Sequence, residues 1–463
     1  MSHPSFRHAV VAGASMAGLL AARALAERFE RVTLIERDAL PRRAEARRGV
    51  PQANHLHILL PGGQAALERL LPGIAAELAA EGAVGVRVGR ELAWHNEGAW
   101  RLRHDSELRV LALSRPLLEA HVAQRVRALP NVAIREGVRL QGLVVGAEGA
   151  LAGVRVQGLA EEVLEADLVV DATGRGSSVP ERLRQMGHGE VPTERIPVQV
   201  NYASAFFAKA PRGPDWRALI VGDRAAGRFG LMFPVEGERW IVTLGTLFEQ
   251  PVPVDRAEML AFARTLPVPD LHDVLRDLDP VSEVVRYRYP GSQRRRYDRT
   301  GRLPAGLLAV GDALASFNPL YGQGMTVAAL EAEALGRWLE AAAREGATAG
   351  MQARWFREAG RIADAAWTGV AVEDFRLPEL AGQAPRSLRP LQWYMARVQA
   401  ATCRSAVVAD AFYRVIGFVE PPGALFRPRV AAEVLLGRGP KPGRSPAPGR
   451  ARTGGWGRPT PNP

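Results

Sequence analysis

The chain has 463 residues, 47% of them hydrophobic and 24% charged, and its single cysteine is Cys403. This composition is typical of a globular protein large enough for two or three domains. It excludes a disulfide-stapled fold, and a lone cysteine favours a reducing, cytoplasmic setting. No apolar run approaches the ~18 residues that span a membrane, so we expect no transmembrane segment.

More than half of the net charge of +11 lies at the carboxyl terminus, because residues 437–463 carry six basic residues and no acidic one. The same stretch is rich in Pro and Gly, which predicts a disordered basic tail. Its charge permits weak peripheral adhesion to anionic lipid, but a solubilising role is the preferred interpretation. The rest of the chain is only mildly basic, so we expect no nucleic-acid partner.

The first element is a strand–turn–helix–strand unit. The valine-rich run HAVVA precedes small residues at the three positions of a Gly-x-Gly-x-x-Gly turn, Gly13, Ser15 and Gly18. Strong helix formers follow, and a second strand ends at Glu36. Such a turn lets a pyrophosphate sit against the helix N-terminus, while the acid accepts hydrogen bonds from a ribose. We therefore predict a dinucleotide site, and the acid favours FAD or NAD over NADP.

Further along, His55 and His57 alternate and would share a face of an extended segment. No other ligands complete a metal site around them, so we predict none. The hydrophobic periodicity predicts a helix at 64–71, alternating strands within 91–114, a helix at 115–129, and strands at 132–135, 140–147 and 152–157.

A buried strand over 167–170 ends in the sharp turn Asp171-Ala172-Thr173-Gly174. Such a turn at the carboxyl edge of a parallel sheet is where a nucleotide lies, although an ordinary turn explains the same residues. The strands at 196–248 then predict an antiparallel sheet with one covered face. Its aromatic-rich side is expected to hold Phe206, Phe207, Phe229, Met232, Phe233, Trp240 and Phe248.

A second glycine-rich signal follows a buried strand that ends at Gly311-Asp312. Its loop contains Pro319, Gly322 and Gly324 and precedes a long helix predicted over 325–339. A carboxylate at a strand end suits a chain of sugar-alcohol hydroxyls, and the helix N-terminus adds positive potential. A second phosphate-binding turn is the alternative, but no acid follows at the required distance.

Three segments occur in the order found in FAD-dependent monooxygenases of the para-hydroxybenzoate hydroxylase fold: GASMAG with Glu36, DATGRGS, and AVGDALASFNPLYGQGM. The chain resembles this group, the class A flavoprotein monooxygenases. Within it, the start GASMAGLLAARAL and the segment RRGVPQANHLHILL are similar to the bacterial branch of polyether-type epoxidases and hydroxylases. The resemblance covers roughly residues 8–340 and, more loosely, the helices to 436.

The resemblance implies an α/β fold with three parts. A Rossmann-like FAD-binding domain would occupy residues 1–180 and be completed by 301–345. A mixed-sheet substrate domain would occupy 181–300, and a helical C-terminal region 346–436, before the tail.

Carried over by position, the resemblance also assigns cofactor contacts. Gly13, Ser15 and Gly18 would hold the pyrophosphate and Glu36 the adenosine ribose, while Arg115 would reach the FAD phosphates. Asp171 and Gly174 would form the second conserved turn, and Asp312 after Gly311 would bind the ribityl chain. Pro319, Gly322 and Gly324 would line the isoalloxazine. Ser15 and the DATG turn depart from the family pattern.

The implied activity is insertion of one oxygen atom from O₂ into a lipophilic secondary metabolite through a flavin C4a-hydroperoxide. Alkene epoxidation is the preferred reaction, because the expected substrate sheet offers Tyr202 as its one evident acid–base group; aromatic hydroxylation stays open. With no second nucleotide motif, electrons would come from NAD(P)H visiting transiently or from a separate flavin reductase.

Three other classes share features of this pattern. A flavin-dependent halogenase would need an active-site lysine and a Trp-x-Trp-x-Ile-Pro segment; the segment is missing, and Lys209 is the only lysine before the tail. A prenyl reductase is the main rival, because the strand GLMFP suits both activities. A non-enzymatic FAD-binding protein is the third alternative.

Overall fold

The computed structural model describes residues 6–47, 49–146, 149–210, 213–345 and 351–437, so the basic tail predicted at 437–463 lies, apart from Gly437, outside the described residues. The first half of the chain forms β1 (Phe6–Ala12), α1 (Met16–Leu25), β2 (Phe29–Glu36), α2 (Pro61–Leu70), α3 (Ile74–Ala80), β3 (Val84–Arg87), α4 (Val88–Glu91), β4 (Leu92–Asn96), β5 (Ala99–Trp100), β6 (Arg109–Ala112), α5 (Arg115–Arg127), β7 (Val132–Glu136), β8 (Arg139–Val145), β9 (Leu151–Gln157), β10 (Glu161–Glu165), β11 (Leu168–Asp171) and α6 (Val179–Gln185).

The second half forms β12 (Thr193–Ile196), β13 (Val200–Ala208), β14 (Ala218–Asp223), β15 (Arg228–Val235), β16 (Arg239–Leu247), α7 (Arg256–Ala263), α8 (Asp270–Leu275), β17 (Val285–Tyr289), β18 (Ser292–Arg295), β19 (Leu307–Ala309), β20 (Ala315–Ser316), α9 (Gly324–Glu345), α10 (Met351–Asp374), α11 (Arg389–Ala401), α12 (Ala406–Ile416) and α13 (Pro428–Leu436). Within the described ranges, every helix is too short or too polar to cross a bilayer.

A parallel sheet of five strands, in the order β19-β11-β1-β2-β7, forms the first layer. Its strands are runs of buried aliphatic residues, as expected of a parallel sheet covered on both faces. Helices α1, α5 and α9 contribute Leu19, Leu118 and Leu335 to the same core. Because the strands are parallel, their carboxyl ends meet at one edge. The predicted Rossmann-like sheet is confirmed.

A seven-stranded mixed sheet, in the order β17-β13-β16-β15-β14-β4-β5, forms the second layer. Its strands pair antiparallel except β14 and β4, which run parallel. Strands β4 and β5 precede residue 180, so this sheet draws on more of the chain than the segment 181–300. There are also three smaller antiparallel sheets among the described residues. Their strand orders are β10-β9-β8, β12-β18-β20 and β3-β6.

The aromatic side chains of this sheet are divided between its two faces, which corrects the expectation of a single aromatic-rich side. Phe207, Met232 and Trp240 pack in a core with helices α7 and α8. Phe229 and Phe233 lie on the opposite face. The physical reason is the period of two along a strand: neighbours such as Met232 and Phe233 must point to opposite sides.

Helices α11, α12 and α13 close the far end of the second face. Val398, Val408 and Phe412 share a core there with Phe233 of β15. The predicted helical C-terminal region is thereby confirmed over its described residues. The result is a space bounded by the edge of the parallel sheet, the second face of the mixed sheet and the C-terminal helices.

Candidate functional site

The turn after β1 is built so that only glycine fits two of its positions. Gly13 has φ +103°, and a Cβ there would lie 2.4 Å from the carbonyl oxygen of Ala172. A Cβ on Gly18 would lie 1.8 Å from the carbonyl oxygen of Gly13. The turn therefore packs against the turn after β11, and α1 starts directly beside it.

Ser15 precedes α1 but its hydroxyl makes no capping hydrogen bond to that helix. It accepts a hydrogen bond from Nη2 of Arg115 instead, at 2.9 Å. The helix N-terminus, with its positive partial charge, and the Arg115 guanidinium thus border the same space. Both favour an anion such as a phosphate.

Glu36 ends β2 beside this turn. Its Oε2 accepts the N–H of Ala14 at 2.8 Å and pairs with Nη1 of Arg47 at 3.0 Å. Burial acts to raise the pKa of Glu36, but the Arg47 charge and the Ala14 N–H outweigh it and hold the pKa below its usual value. Among the described residues, its Oε1 accepts the N–H of Asp38 alone, at 3.2 Å, so the ionised carboxylate retains acceptor capacity for hydroxyl groups.

Arg47 is a site residue that the sequence reasoning missed. Besides Glu36, it contacts Oε1 of Glu119 at 2.9 Å and the carbonyl oxygen of Ala14 at 3.1 Å. The only sequence signal is its place in a basic stretch just after the acidic residue of β2.

Arg115, at the start of α5, connects the turn to the segment that follows β2. Its Nη1 donates to Nε2 of His57 at 3.1 Å, and Nδ1 of His57 lies 3.0 Å from the carbonyl oxygen of His55. Because a carbonyl can only accept, His57 donates through Nδ1 and accepts through Nε2. Burial and the Arg115 charge lower the pKa of His57 to about 3, so the ring is neutral.

His55 contacts the mixed sheet. Its Nδ1 lies 2.8 Å from Oγ of Ser204, and its ring meets Tyr202 edge-on with centroids 4.6 Å apart. Burial lowers the pKa of His55 to about 4. Within the described residues, no group of three or more His, Cys, Asp and Glu side chains is placed to hold a metal ion.

The turn after β11 is held by its own acid. Asp171 is fully buried, and its carboxylate accepts hydrogen bonds from the N–H of Thr173 at 3.0 Å and from the hydroxyls of Thr173 and Ser177. Gly174 has φ +83° and open space where a Cβ would stand. Asp171 therefore shapes the turn, while Thr173 and Gly174 border the space.

Gly311 and Asp312 follow β19 at the same edge. A Cβ on Gly311 would lie 2.5 Å from Cβ of Ala17, so glycine is required for α1 to approach. The N–H of Gly311 donates to Oε2 of Glu331 at 2.6 Å, and Asp312 accepts from Oγ of Ser316 at 3.2 Å. Burial raises the pKa of Asp312, and the Arg115 charge opposes this.

The loop before α9 completes this edge. Pro319 lies in a short 3₁₀ turn capped by Asn318. Gly322 has φ +66°, and a Cβ there would lie 2.5 Å from Cγ2 of Ile58. Gly324 begins α9, and a Cβ on it would lie 3.9 Å from Oδ1 of Asp312.

One cavity of about 1230 Å³ joins these features to the second face of the mixed sheet. Typical ligand pockets have roughly 300–1000 Å³, so there is room for a dinucleotide together with a second molecule. Of the predicted site residues, those that border it are Gly13, Ser15, Glu36, Arg115, Gly174, Gly311, Asp312, Pro319, Gly322 and Gly324. Gly18 and Asp171 stand behind the wall and support the two turns.

A family model described as the FAD binding domain matches residues 7–369. The Mycobacterium tuberculosis protein Rv3254 is 32% identical over 425 residues, or 88% of each chain. The chain belongs to this FAD-binding family. Its cofactor is FAD.

Three solved structures share the fold of this family member. The flavin-dependent brominase Bmp2 has a TM-score of 0.64 at 12% identity, covering 89% of this chain and 93% of that one. Pseudomonas aeruginosa PqsL, described as a probable FAD-dependent monooxygenase, has a TM-score of 0.58 at 19% identity and covers 81% and 99%. The Diels-Alderase PyrE3 has a TM-score of 0.60 at 20% identity and covers 89% and 81%. At such identities the likeness concerns the fold.

The residues present fit FAD. Gly13 and Gly18 have no room for a Cβ, and the uncapped start of α1 faces a cavity wide enough for a dinucleotide. Glu36 keeps free acceptor capacity, and Asp312 stands at the opposite part of the same edge. Bound FAD would thus find an acceptor for its ribose at Glu36 and another for its ribityl hydroxyls at Asp312, on either side of the start of α1.

Proposed function

We propose that the protein is an FAD-dependent monooxygenase that inserts one oxygen atom into a largely apolar substrate, with epoxidation of a carbon–carbon double bond as the preferred reaction. The observation that carries the proposal is the continuity of one cavity from the FAD-binding edge to an aromatic sheet face. The likeness of the segments at 13–25 and 47–60 to polyether-type enzymes supports the reaction class.

In this proposal, Gly13, Ser15 and Gly18 seat the pyrophosphate and Arg115 neutralises it. Glu36 binds the adenosine ribose. Asp312, placed by Gly311, binds the ribityl hydroxyls, and the turn formed by Asp171 and Gly174 shapes the adjoining wall. Pro319, Gly322 and Gly324 border the isoalloxazine ring.

When bound and reduced, FAD supplies the activation of O₂: the alkene gains one oxygen atom, the other leaves as water, and NAD(P)H supplies the two electrons. The chain positions the alkene and excludes water. Phe229, Leu231 and Phe233 offer the cavity hydrocarbon surface in place of hydrogen-bond partners. Such a wall keeps a reactive oxidant from water.

The electron donor in this proposal is NAD(P)H, bound transiently, or a separate flavin reductase, because the described residues show one glycine turn followed by an acid. We propose a cytoplasmic location, which the lone Cys403 favours. A secondary metabolite as the substrate is favoured by the resemblance to polyether-type enzymes.

Aromatic hydroxylation is the second candidate, and one observation favours it. Asp374, at the end of α10, accepts hydrogen bonds on Oδ1 from Tyr321 at 2.7 Å and Asn318 at 3.0 Å. Its Oδ2 is buried without a partner among the described residues, and the side chain borders the cavity beside the isoalloxazine loop. Burial raises the pKa of Asp374 to about 7, which suits a group that takes a phenolic proton.

Mass spectrometry of products formed from lipophilic alkenes and phenols under ¹⁸O₂ tests the proposal. We expect one heavy oxygen atom in an epoxide. An epoxidase should keep most of its activity when His55, His57 or Tyr202 is changed singly to Phe. If one of these changes, or Asp374→Asn, abolishes oxygen insertion while flavin reduction continues, hydroxylation is the better assignment. Product formed without O₂ would indicate a double-bond reductase instead.

A further inference from the structure

The far end of the cavity contains a buried arginine that the proposed chemistry does not use. Arg101 follows β5, is 5% exposed and forms part of the cavity wall. Its guanidinium carbon lies 3.8 Å from the ring centre of Trp94 and 4.3 Å from that of Phe412. The cation thus contacts two aromatic rings that are inclined at 60° to each other, and this packing restricts its orientation.

The charge of Arg101 has no counter-ion in the described part of the chain. No carboxylate there lies within ion-pair distance of it, and its protein partners are the neutral side chains of Gln399 and Thr402, the latter at 3.5 Å. Its Nε is buried and has no acceptor among the residues that the structure describes. Burial lowers the pKa of Arg101, so the charged form is held at a cost in free energy.

Buried charges in proteins are normally paired, because an unpaired charge loses its interaction with water and gains no opposite charge in exchange. The aromatic faces recover part of this loss. The side-chain amide of Gln399 also donates a hydrogen bond to Oε1 of Glu373 at 3.4 Å. This hydrogen bond does not bring a carboxylate into contact with the guanidinium, so the charge of Arg101 is not neutralised. An anion entering the cavity would complete the site.

We propose that Arg101 binds a carboxylate on the substrate, so that the molecule presented to the flavin has an apolar body and one acidic end. A single planar guanidinium matches a singly charged, planar carboxylate through paired N–H donors. The inference rests on the proposed function at one point, namely that the bound carboxylate is part of the molecule that is oxidised. Binding of the carboxylate by Arg101 does not itself require oxygen transfer.

A binding experiment on the FAD-loaded protein tests this, with naphthoate and its neutral analogue naphthamide as probes in isothermal titration calorimetry. We expect the wild type to prefer naphthoate by about tenfold or more, as for hydrogen bonds to a charged group. Arg101→Met should remove the preference, and Arg101→Lys should keep part of it. Arg397→Met is the matched control, because Arg397 also stacks on a tryptophan, at 3.7 Å from Trp393, but is exposed.

Gln399→Glu is a second variant that leaves Arg101 in place and supplies it with a carboxylate from the chain. It should weaken naphthoate binding by roughly tenfold and leave naphthamide binding unchanged. This variant decides the matter if Arg101→Met fails to fold. A wild type without preference for naphthoate, a preference that survives Arg101→Met, or unchanged naphthoate binding in Gln399→Glu would each overturn the proposal. The ¹⁸O₂ experiment is read separately, so the failure of one leaves the other intact.

Discussion

At the scale of single residues, the site depends on side chains that form hydrogen bonds and ion pairs with residues far away in the sequence. Arg115 joins the hydroxyl of Ser15 to the ring of His57, and Arg47 joins Glu36 to Glu119. Each arginine thereby fixes the geometry of an acceptor or donor that borders the FAD position. Removing one of these groups should therefore be felt in cofactor binding more than in folding.

Asp312→Ala should lower FAD affinity about tenfold or more. The change removes an acceptor for the ribityl hydroxyls, and each such hydrogen bond contributes about 0.5–1.5 kcal/mol, or more when charge-assisted. Fluorescence titration of the apoprotein with FAD measures the effect. Asp215→Ala, at an exposed ion pair with Arg103, is the control and should bind FAD normally. Wild-type affinity in Asp312→Ala would mean that the ribityl site lies elsewhere.

Asp374→Asn should change the pH dependence of stability. Burial raises the pKa of Asp374 from 3.8 to about 7, so between these values the folded state holds a proton that the unfolded state has lost. The free energy of unfolding of the wild type therefore falls as pH rises through this window, by at most about 1.4 kcal/mol per pH unit from this group.

The asparagine variant does not titrate at this position, so its free energy of unfolding relative to wild type should rise between about pH 4 and pH 7. Chemical denaturation of the FAD-loaded protein across this range gives the difference directly. The exposed variant Asp215→Asn corrects for the general effect of removing a carboxylate. A constant difference between wild type and Asp374→Asn would show that the buried carboxyl does not titrate in this window.

At the scale of elements, the mixed sheet has one face packed against α7 and α8 and another face that borders the cavity. On β15, Met232 is fully buried against the α7 and α8 side, whereas Phe233 borders the cavity. Helix α9 has a comparable double role, since its first residue borders the cavity while Glu331 receives the N–H of Gly311. Neighbouring positions therefore have different tolerance to change.

Phe233→Glu should impair the coupling of the reaction, whereas Met232→Glu should impair folding. A charge at Phe233 can be hydrated from the cavity, so the protein should fold but release hydrogen peroxide, because water then reaches the oxidant. A charge at Met232 has no such access and should cost more than about 4 kcal/mol, enough to prevent folding. Peroxide assays and thermal melts separate the two. Equal damage from both would mean that Phe233 does not border the reaction space.

At the scale of the whole molecule, the cavity is completed by three parts of the chain that fold together. The parallel sheet supplies the FAD edge, the mixed sheet supplies the aromatic wall, and α11 and α12 close the far end with Gln399 and Phe412. The C-terminal helices are therefore part of the site.

Deleting residues 437–463 should leave the melting temperature and turnover nearly unchanged. The stretch combines six basic residues with many Pro and Gly and few apolar residues, so it can bury little surface. Differential scanning fluorimetry and a turnover assay of the truncated protein measure this. A loss of several degrees would show that the segment packs on the body.

Local features of the site could be predicted from the sequence because they depend on neighbours in the chain. The turn at Gly13 to Gly18, the acid at the end of β2 and the Gly311-Asp312 strand end each lie within one short segment. Their steric and electrostatic requirements restrict which residues can occupy them. The faces of β15 were predicted wrongly, because Met232 and Phe233 were assigned to one aromatic-rich side although adjacent residues of a strand point to opposite faces.

The sequence by itself determined the order of the elements and the Rossmann-like unit, because turn chemistry and periodicity act over a few residues. The acid at the end of β2 favoured FAD or NAD over NADP, and it was the resemblance to class A flavoprotein monooxygenases that implied FAD. Only the tertiary structure decided that Arg47 reaches Glu36, that Asp374 contacts the loop before α9, and that Arg101 meets Gln399 from 298 positions away. Such pairs are set by how layers pack, and no local pattern encodes a partner at that separation. That no carboxylate of the described residues pairs with Arg101 follows only from the packed arrangement of all its neighbours.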